Sequence, residues 1–323
     1  MGVFTAFQQS AILKGAIELG IFTEIAAGHD SATALAARCK ADGRATETLC
    51  DGLTVMGFLE KSGSTYRLAP DSAMFLDRRS PAYVGGMTSF LLAPEIMASW
   101  SDVAAVVRRG GPEGLANIAP EHPIWIEFAK GMGSFVTMTA KMLANMLLAG
   151  GAPKKVLDVA AGHGLFGIEI AKAAPGSRIL ALDWPKVLDV ARDNAGAAGI
   201  ADRWSALPGS AFDVQFGDGY DVVLLTNFLH HFDVATCEGI LRKSREALAP
   251  GGRVVTLEFI PNEDGVSPPF AAMFGMVMLT STPKGRAYRF SEFEAMHRAA
   301  GFDSCELIDM APTPQRLIIA RKA

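Results

Sequence analysis

The chain has 323 residues, 50% of them hydrophobic and 20% charged, the composition of a globular protein with a sizeable core and a length that favours two domains. A net charge of −4 lacks the basic surplus of a nucleic-acid surface, and Cys39, Cys50, Cys237 and Cys305 stand far apart with no CxxC pair, which points to reduced thiols in a cytoplasmic protein and to no disulfide frame or metal site. No apolar run reaches transmembrane length and no signal-peptide pattern opens the chain, so neither membrane nor export is expected.

In chain order, Phe4 to Ile25 reads as one apolar helix, with Ala11, Ile12, Ala16, Leu19 and Phe22 at helical spacing. Ser31 is the expected N-cap of a helix through Lys40, and Ala45 to Met56 forms another that ends at Gly57. Phe58–Glu60 and Tyr66–Leu68 flank Gly63 as a hairpin. Three helices and a hairpin make a winged-helix layout, here assigned to residues 1–95, and DNA binding is one reading of it. Arg38, Lys40 and Arg44 are offset by Asp42, Glu47 and Asp51, whereas phosphate binding needs a basic surplus. A packing or dimerisation module is therefore the better reading. From Ala82 to Ala149 the chain is expected to be mostly helical, broken near Pro94, at Gly110-Gly111-Pro112 and from Pro120 to Pro123. Trp125, Phe128, Met132 and Phe135 share a stripe that serves either as core or as the wall of a pocket.

The stretch Lys155–Lys172, KVLDVAAGHGLFGIEIAK, reads as a buried strand over Val156–Val159, a tight turn of small residues from Ala160 to Gly164, and a helix from Leu165. Small side chains let backbone N–H groups approach a ligand, and the helix N-terminus adds its dipole. A second strand, Arg178–Leu182, ends on Asp183, at the place where such sheets hold ribose hydroxyls. The turn reads as AxGxG, and the diphosphate fingerprint GxGxxG is taken as absent. Asp158 beside it would repel a pyrophosphate and suits a cationic nucleoside that carries an amino acid. S-adenosylmethionine is therefore the expected ligand, not NAD.

The alternation continues with a helix over Val187–Ala198, a strand over Trp204–Leu207, a turn from Pro208 to Phe212, and a strand over Tyr220–Leu225 ending at Thr226-Asn227. Phe228 to Asp233 then leads into a helix over Ala235–Leu248 and a strand over Arg253–Phe259. A helix over Ser291–Ala300 and strands over Ser304–Ile308 and Arg316–Ala320 complete an α/β, doubly wound (Rossmann-like) sheet. Its ligand belongs at the carboxyl strand ends, where Asp158, Asp183, Ser210 and His230 all fall. Between Pro269 and Pro283, Met273, Met276 and Met278 lie close along a helix, as core filler or as a pocket wall.

The segments GAIELGIFTEI, VLDVAAGHG, PGSAFD, NFLHHFD, LAPGGRVV and FSEFEAMHRAAGF together resemble the S-adenosylmethionine-dependent O-methyltransferases typified by plant caffeate and chalcone enzymes and by acetylserotonin and bacterial polyketide methyltransferases. The resemblance covers nearly the whole chain. It implies a class I methyltransferase domain with connecting helices over residues 96–323, an N-terminal winged-helix dimerisation domain over residues 1–95, a homodimer, a small-molecule acceptor, and S-adenosylhomocysteine as product. By position, Asp158 and the turn containing Ala160 and Gly162 would hold the methionine part of the cofactor. Asp183 would bind the ribose and Trp184 would cover the adenine. Ser210, Ala211 and Phe212 occupy the adenine-edge segment, with Ser210 where an aspartate is usual, and Thr226 or Asn227 would reach the cofactor.

His230 matches the family's catalytic histidine. An imidazole is independently suited to take a hydroxyl proton at neutral pH as the acceptor attacks a sulfonium methyl. His231 is read as mainly structural. Of two carboxylates that orient the base in plant members, Glu258 stands near the first position, and Ala287 occupies the second, which weakens the case for a phenol acceptor of the plant type. Phe128, Met132, Met273, Met276 and Met278 are the expected acceptor wall. His163 has no evident role. Alternative readings are methylation of sulfur, nitrogen or carbon, a cofactor-assisted decarboxylation, hydroxylation or ring closure, and a ligand-sensing DNA-binding regulator.

Overall fold

A computed structural model describes residues 2–113 and 122–323, which fall into two compact units, Met1–Ala93 and Pro94–Ala323. Of the break expected from Pro120 to Pro123, Pro120 lies outside the described residues.

The first unit holds helices Gly2–Leu19, Ile21–Ala26, Ala32–Cys39 and Gly43–Val55, a hairpin of β1 (Leu59–Ser62) and β2 (Thr65–Leu68), and a short helix Pro70–Phe75. The single helix expected over Phe4–Ile25 is two, because Gly20 adopts a left-handed φ of 78° between them and ends the first helix as glycine commonly does. Ser31 caps its helix by accepting the Ala34 N–H at 3.3 Å, and Asp42 caps the next through Ala45 at 2.8 Å. Ile21, Phe22, Leu35, Cys50 and Leu53 form the core of this unit. At the start of the first helix Val3, Phe4 and Phe7 are 93%, 83% and 63% exposed, so an apolar face there is not consumed by the chain's own core.

The second unit is built on a seven-stranded sheet: β3 (Lys155–Val159), β4 (Arg178–Asp183), β5 (Trp204–Pro208), β6 (Tyr220–Thr226), β7 (Leu248–Glu258), β8 (Cys305–Asp309) and β9 (Arg316–Arg321). Their order is β5-β4-β3-β6-β7-β9-β8. The first five run parallel, whereas β9 is antiparallel to both its neighbours. Strand order reverses at β3 and β6, and a crevice opens beyond the carboxyl ends at such a switch point. Both sheet faces are covered, which is why the central strands read as unbroken apolar runs. Val156, Val222 and Leu224 pack on one face with Phe166 and Leu188. Leu157, Val223 and Leu225 pack on the other with Leu241 and Phe293.

Beyond shifts of one or two residues at other ends, one strand and one helical stretch differ from those read in the sequence. Strand β7 starts at Leu248 instead of Arg253, because Tyr220 pairs with Leu248 and Val222 with Arg253 across an irregularity that absorbs the Pro250-Gly251-Gly252 turn. It ends at Glu258, which leaves Phe259 outside. The aromatic stripe from Trp125 to Phe135 is split between helices Ile124–Gly131 and Gly133–Ala149, with Met132 as the junction. Among the described residues no helix is long and apolar enough to cross a membrane.

Candidate active site

A cavity of about 310 Å³ opens beyond the carboxyl ends of β3, β4, β5 and β6. Its floor is the turn after β3. Gly162, at a left-handed φ of 57°, donates its N–H to Asp183 Oδ2 at 2.8 Å, and the Trp184 N–H donates to Oδ1 at 2.7 Å. The Asp183 carbonyl accepts the Gly209 N–H at 3.0 Å. Asp183 is thereby fixed on the cavity wall with Ala160, Gly162 and Trp184. Ser210, Ala211 and Phe212 form the far wall after β5.

The glycine spacing requires a correction. Gly162, Gly164 and Gly167 do stand as GxGxxG. Gly167 has the packing role of the third glycine, since a Cβ there would come 2.7 Å from Ile179 Cγ2. The N–H of Gly164, the second glycine, where the backbone would approach a pyrophosphate, is spent on the Ala161 carbonyl at 2.8 Å, and that of Gly162 on the Asp183 carboxylate, so the spacing is present without that anion cradle.

Asp158 does not line the cavity. It is fully buried behind the turn, where Oδ2 accepts the Gly167 N–H at 3.2 Å and Oδ1 has no partner among the described residues. Burial pushes its carboxyl up to about 7, against the Gly167 hydrogen bond. Burial likewise pushes Asp183 up to about 6, opposed by the two N–H groups. Two carboxyls raised in this way favour a cationic occupant, which would restore their charged forms. For the ligand-free protein the sign is opposite. An acid whose folded pKa exceeds its unfolded value contributes stability that is full below the unfolded pKa of 3.8 and is lost as pH rises through about 7. Wild type should therefore lose more stability than Asp158→Asn between pH 5 and pH 8, by on the order of 1–3 kcal/mol in urea unfolding. Equal losses would mean that Asp158 is ionised throughout.

Thr226 is buried at the end of β6 and does not line the cavity, whereas Asn227 does. Asn227 and Ala160 hold left-handed φ values of 53° and 54°, a strained conformation for residues other than glycine that clusters at functional sites.

His230 does not itself line the cavity; it is buried next to His231 on the helical turn Leu229–His231, the two ring centroids 4.4 Å apart. Its Nδ1 is hydrogen-bonded to Glu258 Oε2. Glu258 Oε1 accepts the N–H groups of Phe228 at 3.1 Å and Leu229 at 2.9 Å, and more weakly that of His230 at 3.4 Å. One carboxylate thus caps the turn and aims the ring. From the other side Arg286 donates its N–H to the His230 carbonyl at 2.9 Å. The segment with Ala287 therefore braces His230 through its backbone, and the Arg286 guanidinium pairs with Glu292 at 2.7 Å. Phe274 packs edge-on against the His230 ring, centroids 4.8 Å apart.

His231, read as mainly structural, lines the cavity, edge-on to Trp125 at 5.7 Å. Burial first, and the neighbouring His230 second, hold its imidazole well below the ordinary range, and hence neutral. His163 now has a place: burial lowers it to about 4, its Nδ1 accepts the Leu165 N–H at 3.1 Å, and its ring stacks on Phe128 at 6.4 Å. It backs the Phe128 wall of the cavity. Met132, Met273, Met276 and Met278 are not part of that lining; Met273 is 62% exposed and Met278 is buried.

A carboxylate gripped by two backbone N–H groups, a small-residue floor and an aromatic surround fit a nucleoside. Rings lining the cavity also suit a sulfonium. Among the described residues no three His, Cys, Asp or Glu side chains could hold a metal ion together.

Comparison with known proteins gives matches along the chain. The O-methyltransferase domain matches residues 100–303 and the O-methyltransferase dimerisation domain matches residues 1–78. A 3-hydroxy-5-methyl-1-naphthoate 3-O-methyltransferase of Streptomyces sahachiroi is 29% identical over 98% of this chain and 92% of its own. The S-adenosyl-L-methionine-dependent methyl transferase PigF of Serratia is 26% identical over 98% of this chain and 93% of its own. The structure of PigF with S-adenosylhomocysteine superposes with a TM-score of 0.88 at 25% identity, covering 99% of this chain and 98% of that one. A candidate O-methyltransferase from Nostoc punctiforme superposes with a TM-score of 0.94 at 46% identity, covering 99% of this chain and 97% of that one.

Proposed function

We propose, for a chain that belongs to the S-adenosylmethionine-dependent O-methyltransferase family, that His230 is the general base that deprotonates a small aromatic or apolar hydroxyl acceptor. The single observation behind this reading is the buried His230–Glu258 pair. With the Nδ1 proton donated to the carboxylate, the lone pair resides on Nε2, the tautomer a base requires. Holding the ring between Glu258 and the backbone of Arg286 restricts it to one orientation, and orientation is where much of such an acceleration arises.

In this reading Asp183, Trp184 and the segment Ser210–Phe212 hold the nucleoside, while Ala160, Gly162 and Asn227 flank the amino-acid end. The bound cofactor supplies an electrophilic methyl group. The cavity-lining aromatics Trp125, Phe128, His231 and Phe232 exclude water and suit a flat acceptor, and the Streptomyces relative is named for a hydroxylated naphthoate. Four free cysteines suit a reducing, cytoplasmic setting. The exposed Val3, Phe4 and Phe7 suit burial against a second copy, making a homodimer.

The test supplies purified protein with methyl-labelled S-adenosylmethionine and a panel of phenols and naphthols. The expected result is a product heavier by one methyl group together with S-adenosylhomocysteine. Cofactor binding without transfer to any hydroxyl would discard the acceptor class. A product that forms without gaining a methyl would favour cofactor-assisted chemistry instead.

A further inference from the structure

The residue before β9, Gln315, is 2% exposed and plays no part in the reading above. Arg316 pairs in register with Glu258 at the carboxyl end of β7, so Gln315 lies at the same sheet edge as the carboxylate that holds His230. Its side chain reaches past β7 to the end of β6, where Nε2 donates to Asn227 Oδ1. Its own Oε1 is buried without a partner among the described residues. A buried amide with half its hydrogen-bonding capacity unmet is costly, and its one bond goes to a cavity residue.

That bond determines how Asn227 presents itself. The Asn227 backbone is pinned by its N–H to the Leu257 carbonyl at 2.8 Å and by the left-handed φ of 53°. With Oδ1 taken by Gln315, the remaining polar group of the side chain is the Nδ2 amine, which has no partner among the described residues. An amide turned this way offers donors to the cavity, whereas the flipped amide would offer an acceptor. Asn227 lies with Ala160 at the β3–β6 end of the cavity, away from the nucleoside wall of Asp183 and Gly209–Phe212.

We propose that Gln315 is a positioning residue: it locks the Asn227 amide with its donors toward the amino-acid end of the cavity, where they meet the carboxylate of the cofactor. This rests on the cofactor occupying the cavity as described under Proposed function. Gln315→Glu is nearly isosteric but its carboxylate can only accept, so it captures Asn227 Nδ2 and turns the carbonyl inward, against the ligand's carboxylate.

The experiment is calorimetry of the purified full chain with two probes, S-adenosylhomocysteine and 5′-methylthioadenosine, which lacks the amino-acid carboxylate. Gln315→Glu should weaken S-adenosylhomocysteine binding by about tenfold or more and leave 5′-methylthioadenosine within about twofold. The pair Asn227→Ala and Gln315→Met separates positioning from structure: the double variant should bind S-adenosylhomocysteine no more weakly than Asn227→Ala alone. This cycle decides the matter if Gln315→Glu fails to fold. Unchanged affinity in Gln315→Glu, equal losses for both probes, or additive losses in the double variant would each overturn the proposal. Wild-type protein that binds neither probe would instead remove the cofactor cavity itself, and this inference with it.

Discussion

His230→Ala should lower kcat by about 10²–10⁴-fold, the range a positioned general base supplies, while S-adenosylhomocysteine binds within about twofold of wild type. The separation follows from placement. His230 is outside the cavity lining that Asp183, Trp184 and Ser210–Phe212 share, and its polar contacts run to Glu258 and Arg286. The substitution also deletes a buried ring that packs 4.4 Å from His231 and 4.8 Å from Phe274, so some loss of stability accompanies it. Thermal melting and single-turnover rates with saturating cofactor, measured below the melting transition, keep the two effects apart. Turnover within tenfold of wild type would leave His230 as a packing residue. His231 would then be the cavity-facing imidazole to examine, although its neutral and depressed state makes it a poorer proton acceptor.

The parts of this molecule that could be read from the sequence are those with a local physical signature. Val156-Leu157-Asp158-Val159 is apolar without alternation because both faces of β3 are covered, and Asp183 closes a strand of the same kind. Ser31 marks its helix start through a side chain that only a cap uses. Glu258 is a carboxylate at the end of a strand whose last six residues are all buried, a position that asks for a partner. What was hidden depends on pairings between distant segments. Helical periodicity runs through Gly20 unbroken, and only its backbone angle shows the interruption. The insertion of β9 between β7 and β8 is a choice of neighbour and direction that neither strand's composition encodes.

The methionines of the helix Pro269–Ser281 share a spacing that does not say which side meets a cavity. There Phe274 packs edge-on against the His230 ring. Gln315 is a single polar residue in a loop, with no period or motif, and its meaning lies in an amide 88 residues away. Nothing in the dipeptide His230-His231 says which ring faces the cavity, and the fold gives that place to His231.

The two substitutions of Glu258 should fail in opposite ways. In Glu258→Ala the N–H groups of Phe228 and Leu229, and the weaker donor of His230, lose their acceptor within a buried turn. Each orphaned donor costs about 1–3 kcal/mol, so the variant should unfold several kcal/mol more easily in urea and be hard to assay. Glu258→Gln retains an oxygen for those donors, because turning its amine toward three N–H groups would set donor against donor. The amine is then directed at His230 Nδ1 and donates to it. The ring must carry its proton on Nε2, the wrong tautomer for a base. Stability should stay within about 1–2 kcal/mol of wild type, while kcat falls by about 10²–10⁴-fold, as expected when a catalytic histidine is held in the wrong tautomer. This comparison bears on the chemistry more directly than removing the imidazole, since no ring is deleted and no space is opened. A folded Glu258→Gln protein that turns over at the wild-type rate would show that the reaction does not require a lone pair on Nε2. The hydroxyl proton would then leave by another route, even if His230→Ala is inactive.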